Sequence, residues 1–350
     1  MTIPIIDTDI HPVPDRQAVL RRLAEPWRTR FASGNRGAGT LGYWNPNGVM
    51  RPDAVLPDGS RVEGSPEALA RHFFDVYGIE YGVLNPGGAL HAGLSPEFDY
   101  AAALIAATND VFIEEWLPVD SRFRYSLIVT PNDPERAAQE IHRRGDHPGV
   151  VQVLMCSGAR MPYGQRFFHP IYQAAVEHGL PVAIHPGTEG VGISGAPTAA
   201  GYPTSYFEWH TGLVGSYLAH LVSLITEGVF KKFPDLRFVL IEGGVSWVPP
   251  ILWRLDKNWK ALRMTTPWVD RLPSEIVADH ILLTTQPIEE PENPKHLHAI
   301  LEMFPAERML MFSSDFPHWD GDTPDFALRN LPERLRDRVM YATARELYGL

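Results

Sequence analysis

Residues 237–244 read RFVLIEGG, a short apolar run that ends at Glu242 and is followed by two glycines. The same pattern of Val, Ile, Leu and Phe ending in polar or Gly/Pro residues recurs along the chain. Near-continuous apolar runs of this length are typical of parallel strands that are buried on both faces. The pattern predicts eight strands, at residues 3–8, 79–85, 124–130, 150–155, 181–185, 237–242, 280–285 and 309–314.

Helix signals lie between most of these runs. The segment Asn132-Asp-Pro-Glu135 offers a capping residue and an early proline, and the helix it begins is expected to end before Gly145. Further helices are predicted at 96–117, 165–178, 213–232, 250–264, 295–304 and 339–348. Regular alternation of strand and helix predicts an α/β chain folded as one (β/α)8 TIM barrel over residues 1–350. Polar residues at the carboxyl ends of its strands should then face a common mouth.

Residues 12–77 do not fit an ordinary crossover because they are too long for a connecting loop. They are rich in Gly, Pro, Arg and Asn, especially over 33–48. We interpret them as an insertion after the first strand, which forms a flap or a subunit contact near the mouth. A solvated irregular loop is an equally good interpretation for the central part.

The charge balance excludes several classes of partner. The 350 residues contain 31 Lys and Arg against 42 Asp and Glu, a formal net charge of −11. An acidic chain without a basic run is a poor ligand for nucleic acid or an anionic membrane surface. No apolar run approaches the roughly 18 residues that span a bilayer. Asp7 and Asp9 fall within the stretch that would have to be the apolar part of a signal peptide. The single cysteine, Cys156, fits a reducing compartment, so we expect a cytoplasmic protein.

Five side chains of types that bind metals lie at the ends of four predicted strands, namely Asp9, His11, His185, Glu242 and Asp315. In a strand, Asp9 and His11 point to the same side because side chains alternate with a period of two. Each residue alone has an ordinary explanation, such as a core histidine or a helix cap. Together, three carboxylates would repel one another unless a cation held them. Imidazoles and carboxylates without thiolate are a ligand set for a divalent transition metal.

Neighbouring residues extend this predicted site. His318 follows Asp315 closely and could supply a further nitrogen ligand. His210 either faces the metal or has a capping or packing role. His210 is also a candidate catalytic residue. Trp209, Trp247 and Trp319 are candidate walls of the substrate site, which favours a small, partly hydrophobic or aromatic substrate.

The chain resembles the amidohydrolase-related family, the second amidohydrolase family, whose members include metal-dependent barrels similar to aminocarboxymuconate-semialdehyde decarboxylase. The resemblance rests on IIDTDIH (5–11), AIHPG (183–187), FPDLRFVLIEGGVSWVPPILWRLDKNW (233–259) and MLMFSSDFPHWD (309–320). It implies that the metal ligands are Asp9, His11, His185 and Asp315.

Two positions depart from the family pattern. The first strand carries Asp9-x-His11 where the family commonly has His-x-His or Glu-x-His. Glu242 stands where the family's decarboxylases and hydratases usually carry a histidine that acts in acid–base chemistry. The usual mechanism therefore does not transfer directly to this chain.

Glu242 leaves three interpretations open. As a proton shuttle beside one metal, Glu242, with Asp315, would serve a hydrolase or decarboxylase in which the metal lowers the pKa of bound water. As a bridging ligand, Glu242 would hold two ions, with Mn or Fe favoured over Zn, in a dinuclear oxygenase acting on a small amine or acid. The chain could also be an auxiliary subunit. We expect one or two Zn, Mn or Fe ions, a small-molecule substrate, and a homodimer or a hetero-oligomer of related subunits.

Overall fold

The computed structural model describes residues 3–34, 40–44 and 50–350. Its strands form one parallel sheet in sequence order. They are β1 (Ile6–Ile10), β2 (Tyr81–Leu84), β3 (Phe123–Ile128), β4 (Val150–Cys156), β5 (Val182–His185), β6 (Phe238–Leu240), β7 (Ile281–Thr284) and β8 (Leu310–Met311). The sheet closes on itself because the Thr8 amide donates to the Phe312 carbonyl at 3.0 Å and Ile10 pairs with Phe316. The predicted (β/α)8 TIM barrel is confirmed.

Helices surround the sheet and alternate with its strands. The α-helices are α1 (Arg16–Arg22), α2 (Trp27–Ala32), α3 (Pro66–Leu69), α4 (Asp75–Tyr77), α5 (Gly87–Leu90), α6 (Phe98–Val111), α7 (Pro134–Arg144), α8 (His169–Glu177), α9 (Tyr206–Thr211), α10 (Val214–Thr226), α11 (Val229–Lys232), α12 (Val248–Leu262), α13 (Pro273–His280), α14 (Pro294–Leu301), α15 (Ala306–Met309), α16 (Pro324–Asn330), α17 (Glu333–Asp337) and α18 (Thr343–Tyr348). Short 3-10 turns occur at Pro52–Ala54, Val62–Gly64, His91–Leu94, Arg166–Phe168 and Arg263–Thr265, and π turns at Ala70–Phe74, Phe112–Trp116 and Arg338–Ala342. None of the helices in the described residues is both long and apolar enough to cross a membrane.

Element boundaries differ from the predicted ones where side-chain contacts override the apolar pattern. The first apolar run covers residues 3–8, whereas β1 covers Ile6–Ile10, so the strand begins later than the run and includes Asp9. A buried carboxylate is accommodated there because Asp7 Oδ1 accepts the Ser314 amide at 2.9 Å and the Asp9 amide at 3.2 Å. The helix predicted over 213–232 is split into α10 and α11 by Gly228, whose φ of 71° is left-handed.

Residues 11–80 connect β1 to β2 and carry α1 to α4. The glycine- and asparagine-rich stretch 33–48 lies partly outside the described residues, at 35–39 and 45–48. Residues 12, 13, 40–43 and 50 line the cavity at the mouth of the barrel. A role as a flap or a subunit contact stays a prediction.

Candidate metal centre

Five predicted ligands meet at the carboxyl ends of the strands. Asp9 lies in β1 and His11 follows it, His185 ends β5, and Glu242 and Asp315 lie shortly after β6 and β8. One ligand atom from each lies within 4.8 Å of those from the others. His11 Nε2 is 2.8 Å from Asp315 Oδ1 and 3.2 Å from Asp9 Oδ1, and His185 Nε2 is 2.9 Å from Glu242 Oε2. The barrel thus assembles an N/O ligand set from residues that are far apart in the sequence.

A backbone carbonyl orients the ring of each of the two histidines, His11 and His185, through Nδ1. His11 Nδ1 lies 2.7 Å from the Asn85 carbonyl, and His185 Nδ1 lies 2.9 Å from the Pro186 carbonyl. A carbonyl only accepts, so each Nδ1 carries the proton and each Nε2 keeps its lone pair for the cluster. Both Nε2 atoms are buried and make no hydrogen bond. This is the arrangement that metal-binding histidines adopt.

The backbone is strained where two carboxylates enter the site. Glu242 has a φ of 60° and Asp315 a φ of 55°, both in the left-handed region that side chains avoid. The Glu242 amide donates to Thr284 Oγ1 at 2.9 Å, and the Asp315 amide donates to the Asp9 carbonyl at 3.0 Å. Such conformations cost on the order of 1–3 kcal/mol each and persist where surrounding structure enforces them, often at functional sites.

The buried carboxylates of this cluster need positive charge beside them. Burial opposes ionisation of Asp9, but the nearby His11 and His185 outweigh it and lower its pKa. Burial likewise disfavours a charged His11, yet Asp9 and Asp315 raise its pKa to about 10, and Asp9 and Glu242 raise the pKa of His185 well above its usual value. Protons on these rings and a divalent ion would neutralise the same carboxylates, so the donor set fits a metal.

A chain of hydrogen bonds runs from Asp9 through the barrel. Asn85 Nδ2 donates to Asp9 Oδ1 at 2.7 Å, and the Ser126 hydroxyl donates to Asn85 Oδ1. Gln152 Nε2 donates to Ser126 Oγ at 2.8 Å, and the Tyr348 hydroxyl donates to Gln152 Oε1 at 2.8 Å. Every donor points toward Asp9, so the chain fixes the Asn85 amide with its N–H group on the carboxylate.

His318 and His210 lie beside the five-residue cluster and are not among its members. His318 Nδ1 is 2.7 Å from Asp315 Oδ1, and its ring stacks on His11 with centroids 4.5 Å apart. His210 Nε2 lies 4.0 Å from Glu242 Oε1 and 3.4 Å from Asp320 Oδ2. Metal binding by His318 and catalysis by His210, Glu242 and Asp315 stay predictions.

A cavity of about 440 Å³ opens directly onto the cluster. His11, His185 and Glu242 form part of its wall, and Trp209 and Trp319 line it as predicted. Trp247 does not belong to the described lining, because its indole N–H turns back to the Gly243 carbonyl at 2.8 Å. The described wall is largely apolar and contains no lysine or arginine.

Sequence reasoning missed two polar residues of this region. Asn85 ends the second predicted strand, so the strand-end pattern that singled out His185 applied to it as well. Asp320 closes the stretch DFPHWD and lies among the cavity residues beside His210. Its distance from the nearest strand hid it, since side-chain direction in an irregular loop does not follow a fixed period.

Comparison with known proteins places these features in a family. A model described as Amidohydrolase matches residues 6–350. The gamma-resorcylate decarboxylase of Rhodococcus jostii (strain RHA1) is 26% identical over 244 residues, which cover 63% of this chain and 68% of that protein. The relative favours the predicted hydrolase or decarboxylase class over the oxygenase alternative.

Solved structures share the fold over the whole chain. The 5-carboxyvanillate decarboxylase of Sphingomonas paucimobilis superimposes with a TM-score of 0.68 at 22% identity, covering 100% of both chains. A dihydroxybenzoic acid decarboxylase of Polaromonas sp. JS666, with bound manganese and the inhibitor 2-nitroresorcinol, gives 0.67 at 17% identity and covers 100% of this chain and 98% of its own. Because the family model spans residues 6–350, the chain belongs to the Amidohydrolase family.

Proposed function

We propose that the protein is a metal-dependent decarboxylase of a small aromatic carboxylic acid. The observation that carries this proposal is the buried cluster of Asp9, His11, His185, Glu242 and Asp315, which faces an apolar cavity. When bound there, a divalent ion supplies a Lewis acid that binds substrate oxygens and stabilises negative charge. Decarboxylation of aromatic acids by the relatives, and the manganese in one related structure, support this choice of substrate and ion.

The cavity wall supports an aromatic acid as the substrate. Trp209 and Trp319 offer flat apolar surface, and Leu213 and Val191 add aliphatic contacts. The described wall offers no lysine or arginine to pair with the substrate carboxylate, so in this proposal the carboxylate is oriented toward the candidate ligands. The aromatic ring then lies against the apolar wall, where burial of its surface contributes about 25 cal/mol per Å².

We assign proton transfer to Asp315, which His318 connects to the cavity. Asp315 is fully buried, whereas the His318 side chain is 30% exposed and lies 2.7 Å from its carboxylate. Burial opposes ionisation of Asp315, but His318 and His11 outweigh it and lower the pKa of Asp315. Asp315 therefore takes a proton from His318 and passes it to the ring carbon as the bond from that carbon to the carboxylate breaks and CO2 leaves. Water then returns a proton to His318. Glu242, which replaces the family histidine, lies with Oε2 2.9 Å from His185 Nε2 and serves in this scheme as a further candidate ligand.

The test is CO2 release from a panel of hydroxylated benzoic acids by protein that has been stripped with a chelator and reloaded with Mn²⁺. We expect activity that depends on the metal and is lost in His185→Ala. The matched control is His296→Ala, because His296 is an exposed histidine on α14, remote from the cluster. Metal-loaded protein that releases no CO2 but hydrolyses amides or lactones would identify a hydrolase instead.

We further propose that the protein is cytoplasmic, that residues 1–350 form one domain, and that the chain assembles into an oligomer. Size-exclusion chromatography with light scattering tests the oligomer, and a monomer at micromolar concentration contradicts it.

A further inference from the structure

We infer that His210, Glu242 and Asp320 form a second divalent-cation site beside the first, with Glu242 bridging the two. Ligand atoms of these three residues lie within 4.8 Å of one another. All three line the cavity, so an ion held by them would face the substrate space directly. The inference goes beyond the proposed function, which requires only the first ion.

Glu242 divides its two oxygens between the clusters. Oε2 lies 2.9 Å from His185 Nε2, whereas Oε1 is directed toward His210 Nε2 at 4.0 Å. Its side chain is only 9% exposed, and the left-handed φ of 60° holds the residue at this point. A carboxylate held with one oxygen toward each of two ligand groups has the geometry of a bridging ligand.

Asp320 contributes an oxygen that lacks a hydrogen-bond donor. Asp320 Oδ2 is buried without a hydrogen bond and lies 3.4 Å from His210 Nε2. Burying a carboxylate oxygen without a donor is unfavourable, and a metal ion would supply the missing partner. Among the described residues, Asp9 Oδ2 and Asp315 Oδ2 at the first site also lack a hydrogen bond, as do three carboxylate oxygens outside both ligand groups, those of Asp7, Glu63 and Asp322.

Aromatic neighbours hold the His210 ring in place. Tyr206 stacks on it with centroids 5.4 Å apart, and Trp319 packs at 5.8 Å. His210 and Asp320 lie after different strands, in α9 and in the loop that precedes α16. One nitrogen and two carboxylate oxygens suit Mn²⁺, Fe²⁺ or Zn²⁺, and three protein ligands leave positions for water or a substrate oxygen.

The experiment measures Mn²⁺ stoichiometry by equilibrium dialysis of chelator-stripped full-length protein, followed by metal analysis and electron paramagnetic resonance. We expect about two Mn²⁺ per chain in the wild type and about one in Asp320→Asn and in His210→Ala, since each variant removes one of three ligands. The wild-type spectrum should show spin coupling between neighbouring ions, and the variants should show isolated Mn²⁺. Asp325→Asn is the matched control, because Asp325 is an exposed aspartate nearby in the sequence.

One Mn²⁺ per chain in the wild type, unchanged in both variants, overturns the second site. Circular dichroism and thermal unfolding of each variant show whether it folds like the wild type, which distinguishes a loss of metal from a loss of fold. CO2 release measured on the same samples separates the two proposals. An active wild type with one ion per chain refutes only the second site. An inactive wild type with two ions per chain refutes only the decarboxylase.

Discussion

Asn85 orients a candidate ligand from outside the cluster, and replacing it should weaken metal binding without removing any ligand. In Asn85→Ala the 2.7 Å hydrogen bond to Asp9 Oδ1 is lost, and the Ser126 hydroxyl loses its acceptor. The backbone carbonyl of Asn85, which accepts from His11 Nδ1, is retained. The substitution therefore tests the support of Asp9 separately from that of His11.

The expected loss is about 10–100-fold in Mn²⁺ affinity, the usual effect of removing an outer partner of a metal ligand. A tenfold change corresponds to about 1.4 kcal/mol, so this range equals about 1.4–2.7 kcal/mol. A hydrogen bond to a charged group contributes about 1.5–3 kcal/mol, which agrees with that range. Tyr348→Phe, at the far end of the same hydrogen-bond chain, should cost less than about threefold, because its effect is transmitted through three intermediate bonds.

The assay is competition between the stripped protein and a fluorescent chelator for Mn²⁺. Asn109→Ala is the matched control, since Asn109 is also a buried asparagine that bonds a backbone carbonyl, at Ile128, but lies away from the cluster. We expect Asn109→Ala to lower stability and to leave Mn²⁺ affinity unchanged. Equal losses of affinity in the two variants, or wild-type affinity in Asn85→Ala, would refute the reasoning.

Three further predictions follow from the same structure. Asp315→Asn should reduce kcat by at least about 100-fold, as expected for loss of a general acid, and a fully active variant in a steady-state assay would end its assignment. Gly164→Ala should destabilise the fold by about 1–3 kcal/mol in urea unfolding, because a Cβ there would lie 2.1 Å from the Ser223 carbonyl oxygen; Gly195→Ala, with no atom within 4 Å, should not. Burial lowers the pKa of His220 to about 4, so the unfolded chain binds the proton more readily than the folded chain. Acidification from pH 6.5 to 4.5 should therefore lower the free energy of unfolding by about 2 kcal/mol more in the wild type than in His220→Gln. Equal pH dependence of the two unfolding free energies would contradict that last assignment.

Most of the fold could be predicted from the sequence because its determinants are local. Apolar runs such as 237–242 and 181–185 mark strands whatever surrounds them, and eight such runs alternating with helices are sufficient to define a closed parallel barrel. Boundaries were less accurate, since the first apolar run begins at residue 3 but β1 begins at Ile6, and the helix predicted over 213–232 is interrupted at Gly228.

The five-residue cluster was predictable for a related reason. Parallel strands end at one edge of the barrel, so residues at strand ends such as Asp9 and His185 converge whatever their separation in the chain. Asn85 obeyed the same rule and could have been found by applying it to every strand.

Only the tertiary structure decided how side chains in the connecting loops are directed. Trp247 follows Glu242 closely but bonds to Gly243, whereas Asp320, farther from its strand, turns into the cavity beside His210. Strands impose a period of two on their side chains, and irregular loops impose none. The sequence therefore determined which strand ends meet at the mouth of the barrel, and packing of the loops determined which side chains face the candidate metal centre, the cavity or the backbone.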